Sequence, residues 1–166
     1  MAAVAKTLVQ VQNVTRDLYL FDTFGGMTKP TDEDVDYSGK QASTIMIEDF
    51  GYRCADAPLD EVRRLMYGTD YPKEKVHFAE GKVEETIPLH APDAISLLRL
   101  DTDWYASTKH ELVELFPRLA QSGVIVVDDY GHWEGARRAC DEYFAQNCIP
   151  ILLNRIDYTG RIGLKP

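Results

Sequence analysis

The 166-residue chain is long enough to fold as one domain with a buried core, and its 45% of hydrophobic residues argues against disorder. Its formal net charge of −9 excludes a sequence-independent nucleic-acid binder, which needs a basic face, and a polybasic membrane-surface protein. We therefore expect neither a nucleic-acid partner nor a membrane, the latter also because no apolar run reaches the length of a membrane span.

The cysteines favour a reducing compartment. Cys54, Cys140 and Cys148 form no CxxC pair and have no histidine at the spacing of a zinc site. A scattered, odd number of cysteines is typical of reduced structural thiols. The first residues carry no long apolar core, so no signal peptide is predicted. Together these features predict a cytoplasmic protein.

Helical and strand patterns alternate along the chain, which is typical of a parallel α/β sheet. The loop after the first strand, TKPTDEDVDYSG, is interpreted as solvated or mobile rather than packed, and a lid is the alternative. In chain order, the first half is predicted to contain a helix, a strand ending at Asp22, this loop, two helices and a second strand: residues 2–12, 17–24, 28–39, 42–51, 57–68 and 75–81.

The second half is predicted to continue the same alternation and to end in a hairpin. Thr108 and Glu111 have the spacing of a capping box at the start of an amphipathic helix. The predicted fold is therefore one mostly parallel sheet with an antiparallel C-terminal hairpin. Its predicted elements are a strand, that helix, a β-branched strand, another helix and the two hairpin strands: residues 95–100, 107–120, 124–127, 132–144, 151–156 and 161–166.

Two of the predicted buried strands end in pairs of carboxylates. Asp101 and Asp103 follow the strand at 95–100, and Asp128 and Asp129 follow the strand at 124–127. Ligands of open parallel sheets bind beyond the carboxyl ends of the strands, so these acids are expected to converge. Crowded carboxylates need a compensating cation, and an all-oxygen set favours Mg²⁺, with Ca²⁺ or Mn²⁺ as alternatives.

Two other interpretations of these acids remain open. A single aspartate at a strand end is usually a helix cap or a turn former, and Asp129 has the position to cap a helix beginning near His132. The order hhhDxD followed by hhhDD also outlines a haloacid-dehalogenase phosphatase. That alternative is weaker because Trp104 and Tyr105 are bulky where such an enzyme needs small residues, and because the spacing is short.

Several blocks of the sequence resemble the macrocin O-methyltransferase family. LLRLDTDWYASTKHELVELFPRL and SGVIVVDDYGHWEGARRACDEYF are the most specific, and YLFDTFGGM and VHFAEGKVEETIP are similar to the second and third strands of that family. The resemblance implies a class I methyltransferase-like (Rossmann-like) α/β fold. It also implies transfer of a methyl group from S-adenosylmethionine, with Mg²⁺, to a sugar hydroxyl of a natural-product glycoside.

The resemblance also implies roles for individual residues. Asp101, Asp128 and Asp129 would hold the metal ion, which would chelate neighbouring hydroxyls of the acceptor and lower the pKa of the attacking one. Asp103 would be the general base, with His132 as the reserve candidate. Trp104 and Trp133 are candidates to frame the acceptor, although aromatic residues on a helical stripe are more often core.

Five residues are assigned to the cofactor. Asp22 ends the second strand of the family's order, where nucleotide-binding folds place an acid that accepts hydrogen bonds from ribose hydroxyls, and Thr23 follows it. Glu80, Gly81 and Lys82 end the next strand, near the expected adenine position. Asp22 also has an ordinary alternative as a turn former.

The chain departs from the family pattern at its start. MAAVAKTLVQVQNVTRD corresponds to the helix after the family's first strand and glycine-rich turn, so that strand, central in the sheet, is expected to be missing from a single domain spanning 1–166. An unpaired central edge favours association with a second copy. Activity is therefore left open, and the alternative function is a non-catalytic remnant that keeps the metal site without competent cofactor binding.

Overall fold

The computed structural model describes residues 1–46 and 57–166, which form two compact units. The first unit comprises residues 1–28 and 57–90, and the second comprises 29–46 and 91–166. The predicted helix over 42–51 falls partly outside the described residues. No helix within the described ranges is long and apolar enough to cross a membrane.

The first unit is built around two parallel strands. Leu18 pairs with Val76 at one end of the ladder and Asp22 with Glu80 at the other, which brings the carboxyl ends of both strands together. The buried Tyr71 donates a hydrogen bond from its hydroxyl to the carbonyl of Arg16 at 2.6 Å. The elements are α1 (Ala2–Gln10), β1 (Leu18–Asp22), α3 (Leu59–Tyr67), β2 (Val76–Glu80) and α4 (Val83–His90).

The second unit is built on a four-stranded mixed sheet. Its elements are α2 (Ala42–Ile45), β3 (Ile95–Leu100), α5 (Tyr105–Leu115), β4 (Leu119–Val127), α6 (Glu134–Gln146), β5 (Asn154–Arg155) and β6 (Arg161–Leu164). The strand order is β3-β4-β6-β5. β3 and β4 run parallel, whereas β6 is antiparallel to both β4 and β5. The predicted α/β class with a closing antiparallel hairpin is confirmed, with the strands distributed over two sheets.

The helix predicted over 107–120 is shorter and begins earlier. α5 ends at Leu115 and a 3₁₀ turn, Phe116–Arg118, leads directly into β4, so the segment expected to finish the helix is strand instead. The predicted capping box is wrong because Thr108 and Glu111 are both buried within α5. Glu111 instead accepts a hydrogen bond from the Thr102 hydroxyl at 2.9 Å.

The acidic loop before α2 is packed rather than solvated. Asp34 is 1% exposed and Asp36 is 8% exposed, so the prediction of a solvated charge run is wrong for both. Asp34 accepts hydrogen bonds from the backbone of Thr31 at 2.8 Å and of Tyr105 at 3.0 Å. Asp36 forms an antiparallel bridge with Trp133. Buried carboxylates with several donors fix a loop in place, because leaving such donors unpaired is costly.

Candidate functional site

The pairing of β3 with β4 places carboxylates from two strand ends side by side. Leu100 pairs with Val127, and the Asp128 backbone N–H donates to the Leu100 carbonyl at 3.0 Å, so the next residues along each strand are neighbours. One carboxylate oxygen from each of Asp101, Asp128 and Asp129 lies within 4.8 Å of the others. The structure thus brings the three residues that were assigned to the metal into one cluster.

Arg99 belongs to this cluster and was missed by the sequence analysis. Its Nη1 lies 2.9 Å from Asp101 Oδ2 and its Nη2 lies 3.0 Å from Asp128 Oδ2, so one guanidinium spans both carboxylates. Side chains two residues apart on a strand share a face, and this spacing of Arg99 and Asp101 was the available signal. A single positive charge therefore already contacts two of the three carboxylates.

The cluster raises the proton affinity of its own members. Partial burial raises the pKa of Asp101 to about 7, assisted by a hydrogen bond with Asp128 and opposed by Arg99. Burial, followed by a hydrogen bond with Asp103, raises the pKa of Asp129 to about 9. Raised pKa values of this kind indicate that the positive charge near the carboxylates is too small to balance their negative charges. A divalent cation with oxygen ligands matches this donor set in charge and in chemistry.

Asp103 is held beside Asp129 by an unusual turn. Its φ of 64° is left-handed, a conformation that costs a non-glycine residue about 1–2 kcal/mol. The turn is fixed on both sides of Asp103, since Trp104 N–H donates to the Thr102 carbonyl at 2.7 Å and the Thr102 hydroxyl donates to Glu111. Burial raises the pKa of Asp103, while the hydrogen bond with Asp129 opposes the rise. Asp103 is therefore placed to exchange a proton at the cluster.

The backbone of His132 is hydrogen-bonded to the backbone of Asp129, a member of the cluster. The N–H groups of His132 and Trp133 both donate to the Asp129 carbonyl at 3.0 Å. The His132 ring is 3.2 Å from the Tyr158 hydroxyl through Nδ1. Trp133 and Trp104 are 8% and 4% exposed and pack edge to face at 5.1 Å, so both tryptophans serve as core rather than as an open acceptor wall.

The residues assigned to the cofactor meet at the carboxyl ends of β1 and β2 in the first unit. Asp22 Oδ1 accepts a hydrogen bond from the Phe24 N–H at 2.8 Å, which gives it the turn-forming role considered from the sequence. The Gly81 N–H donates to the Asp22 carbonyl at 2.9 Å. Thr23 continues this turn, Glu80 pairs with Asp22 in the ladder, and Lys82 accepts the first backbone bonds of α4.

Comparisons with known proteins agree on one family. A sequence model described as Macrocin-O-methyltransferase (TylF) matches residues 1–162. The chain is 37% identical over 101 residues to a demethyldecarbamoylnovobiocin O-methyltransferase of Streptomyces niveus, covering 61% of this chain and 38% of that protein. It is 32% identical over 103 residues to an 8-demethyl-8-(2,3-dimethoxy-alpha-L-rhamnosyl)-tetracenomycin-C 4'-O-methyltransferase of Streptomyces olivaceus, covering 62% and 39%.

A solved structure gives the same result at the level of the fold. The O-methyltransferase NovP superimposes with a TM-score of 0.80 and 27% identity, covering 99% of this chain and 66% of that one. The chain therefore spans less than half the length of these two curated relatives and 66% of NovP.

Proposed function

The chain belongs to the macrocin O-methyltransferase family, and on that premise we propose that it takes part in the transfer of a methyl group from S-adenosylmethionine to a sugar hydroxyl of a natural-product glycoside. The observation that carries the proposal is the cluster of Asp101, Asp128 and Asp129. The names of the two relatives specify glycosylated or novobiocin-type natural products, which supports an acceptor of this class.

The three carboxylates would hold Mg²⁺. Their donor set contains only oxygen atoms, and the guanidinium of Arg99 already stands as a cation across two of them. When bound, Mg²⁺ supplies positive charge that lowers the pKa of an acceptor hydroxyl and fixes its direction. Each carboxylate must give up its proton to serve as a ligand, so Asp101 and Asp129 act in their ionised forms.

Asp103 would remove the proton of the attacking hydroxyl. Burial raises its pKa, which makes its carboxylate a stronger base than an exposed aspartate. The fixed turn at Thr102 holds its carboxylate beside the cluster. His132 stays the reserve base, since its ring faces Tyr158.

In the first unit, Asp22 would bind the ribose of S-adenosylmethionine. Among the described residues, the short hydrogen bond that Asp22 accepts within the turn, from the Phe24 N–H, uses Oδ1, so Oδ2 would accept from a ribose hydroxyl. Glu80, Gly81 and Lys82 would border the adenine. Their backbone is set by the parallel pairing of β1 with β2 and by the first turn of α4.

Calorimetric titration tests the two halves of the proposal separately. Mg²⁺ is expected to bind the wild-type chain, and Asp128→Asn should weaken it at least about tenfold, a loss seen even for residues that only support a ligand. Asp93→Asn is the matched control, because Asp93 is a fully exposed acid of the same unit. Unchanged Mg²⁺ affinity in Asp128→Asn would contradict the metal assignment.

S-adenosylhomocysteine tests the cofactor assignment. Binding is expected in the wild-type chain and a clear loss in Asp22→Asn, which keeps the shape of the turn while removing the ribose acceptor charge. Methyl transfer to a glycoside acceptor, measured by mass spectrometry, completes the test. Mg²⁺ binding without any binding of S-adenosylhomocysteine would favour the alternative of a metal-binding remnant and would overturn the enzymatic proposal.

A further inference from the structure

Three aromatic rings of the second unit form an exposed corner made by Tyr37, His132 and Tyr158. Tyr37 is 60% exposed and Tyr158 is 48% exposed. Their rings are perpendicular, with an interplanar angle of 87° and centroids 5.6 Å apart, and the His132 ring lies 5.9 Å from each. Large aromatic side chains gathered at the surface and left open to water are typical of binding sites.

The Tyr37 side of the corner stands on a rigid turn. Asp36 Oδ1 accepts hydrogen bonds from the Ser38 N–H at 2.8 Å, the Ser38 hydroxyl at 2.7 Å and the Lys40 N–H at 2.9 Å. The Glu134 N–H donates to the Val35 carbonyl at 3.0 Å, which ties the loop to the start of α6. Tyr37 is therefore presented by a loop that is already ordered.

The Tyr158 side is equally constrained. Asp157 Oδ1 accepts from the N–H groups of Thr159 at 3.0 Å and Gly160 at 2.7 Å, which closes the turn between the hairpin strands. The Gly131 N–H donates to the Thr159 carbonyl at 2.8 Å. A Cβ at position 131 would lie 2.1 Å from the Tyr158 carbonyl oxygen, so glycine permits this close approach. Because both turns are already ordered, binding of a ligand to either ring would cost little conformational entropy of the backbone.

The corner adjoins the carboxylate cluster. His132 is three residues beyond Asp129 and donates its N–H to the Asp129 carbonyl. A molecule that places a hydroxyl on the cluster would therefore extend past His132 toward the two tyrosines.

We propose that Tyr37 and Tyr158 form the subsite for the sugar ring of the acceptor. This inference rests on the proposed function, because the ring is the one whose hydroxyl would be methylated. The C–H face of a six-membered sugar ring stacks on the face of an aromatic ring, whereas its hydroxyls are left free to reach the carboxylates. Two perpendicular rings fix both the tilt and the position of one sugar.

The test is the binding of methyl α-L-rhamnopyranoside to the full chain in the presence of Mg²⁺ and without S-adenosylmethionine. Saturation-transfer NMR detects weak binding and shows which sugar protons touch the protein. Tyr37→Ala and Tyr158→Ala are each expected to weaken binding roughly fivefold, while Tyr37→Phe and Tyr158→Phe keep it within about twofold because the rings are retained. Leu152→Ala, which removes another side chain exposed by 73%, is the control.

The result expected is saturation of the C–H protons of the sugar by the wild-type chain, with the weaker binding described above in the two alanine variants at an unchanged melting temperature. Unaltered affinity in both alanine variants, equal weakening in Leu152→Ala, or no binding by the wild-type chain would overturn the proposal. Methyl transfer plays no part in the measurement. A failure of the corner is therefore distinguishable from a failure of the proposed function, which depends on S-adenosylhomocysteine binding and on product formation.

Discussion

Asp34 is expected to be the residue on which the order of the acidic loop depends, and its replacement by alanine should destabilise the second unit. The side chain is 1% exposed. Its Oδ2 accepts from the N–H and hydroxyl of Thr31 at 2.8 and 2.9 Å, and its Oδ1 accepts from the Tyr105 N–H at 3.0 Å. Asp34→Ala removes all three acceptor contacts and leaves the first N–H of α5 without its partner.

The magnitude follows from these three contacts. A hydrogen bond to a charged group contributes about 1.5 to 3 kcal/mol, so three give at least about 4.5 kcal/mol. The cost of burying the carboxylate, which the variant no longer bears, offsets part of this sum. We expect a net loss of about 3 kcal/mol in the free energy of unfolding, large for a single substitution.

Urea unfolding followed by tryptophan fluorescence measures this loss directly. The chain has two tryptophans, and both Trp104 and Trp133 are buried in the second unit, so the signal reports that unit. Asp32→Ala is the matched control, since Asp32 is an exposed acid of the same loop and is expected to change stability by less than about 0.5 kcal/mol. A loss below about 1 kcal/mol in Asp34→Ala, or an equal loss in the control, would refute the reasoning.

Three further predictions concern the same unit. Burial alone would raise the pKa of Asp36, but hydrogen bonds from Ser38 and Lys40 together outweigh it and lower the pKa below 3.8 in the folded protein. The ionised Asp36 side chain therefore contributes its full stabilisation of the fold above pH 3.8. This contribution disappears as the pH falls through the pKa that Asp36 has in the folded state. The difference in unfolding free energy between wild type and Asp36→Asn should therefore vanish in strong acid. Burial raises the pKa of the Cys140 thiol, whereas Cys148 is exposed, so iodoacetamide followed by mass spectrometry should label Cys148 before Cys140 in the native protein. Gly131→Ala should cost about 2 kcal/mol in urea unfolding because of the nearby Tyr158 carbonyl, and a neutral result would contradict the close approach of the two turns.

The strand ends were the part of the site that the sequence could predict. β-branched and aliphatic runs ending in aspartate indicate buried strands, and the rule that parallel strands share one carboxyl edge then brings Asp101 and Asp128 together. No detailed knowledge of packing is needed for that step. Arg99 was overlooked because an arginine within an apolar run was taken as part of the strand alone, although its alternation with Asp101 places both on the same face.

The start of α5 shows why the remainder could not be predicted locally. Thr108 and Glu111 have the spacing of a capping box, but the Tyr105 N–H is capped by Asp34, which lies 71 residues earlier in the chain. The same contact explains why Asp34, an acidic residue of a loop, is buried. Propensity and spacing describe neighbours in sequence, whereas this cap depends on tertiary packing, which overrides weak local preferences.

The geometry of the candidate metal site is set by the hydrophobic core rather than by the acids themselves. Leu100 and Val127 face each other in the ladder and are 2% and 1% exposed, so the register of β3 against β4 is fixed by the side chains that fill the interior. A slip of one residue would turn the buried Leu100 outward and would separate Asp101 from Asp128. The carboxylates repel one another and could not impose this register alone. Apolar burial therefore supplies the free energy that holds like charges together, and under the proposed function a bound cation would balance that charge.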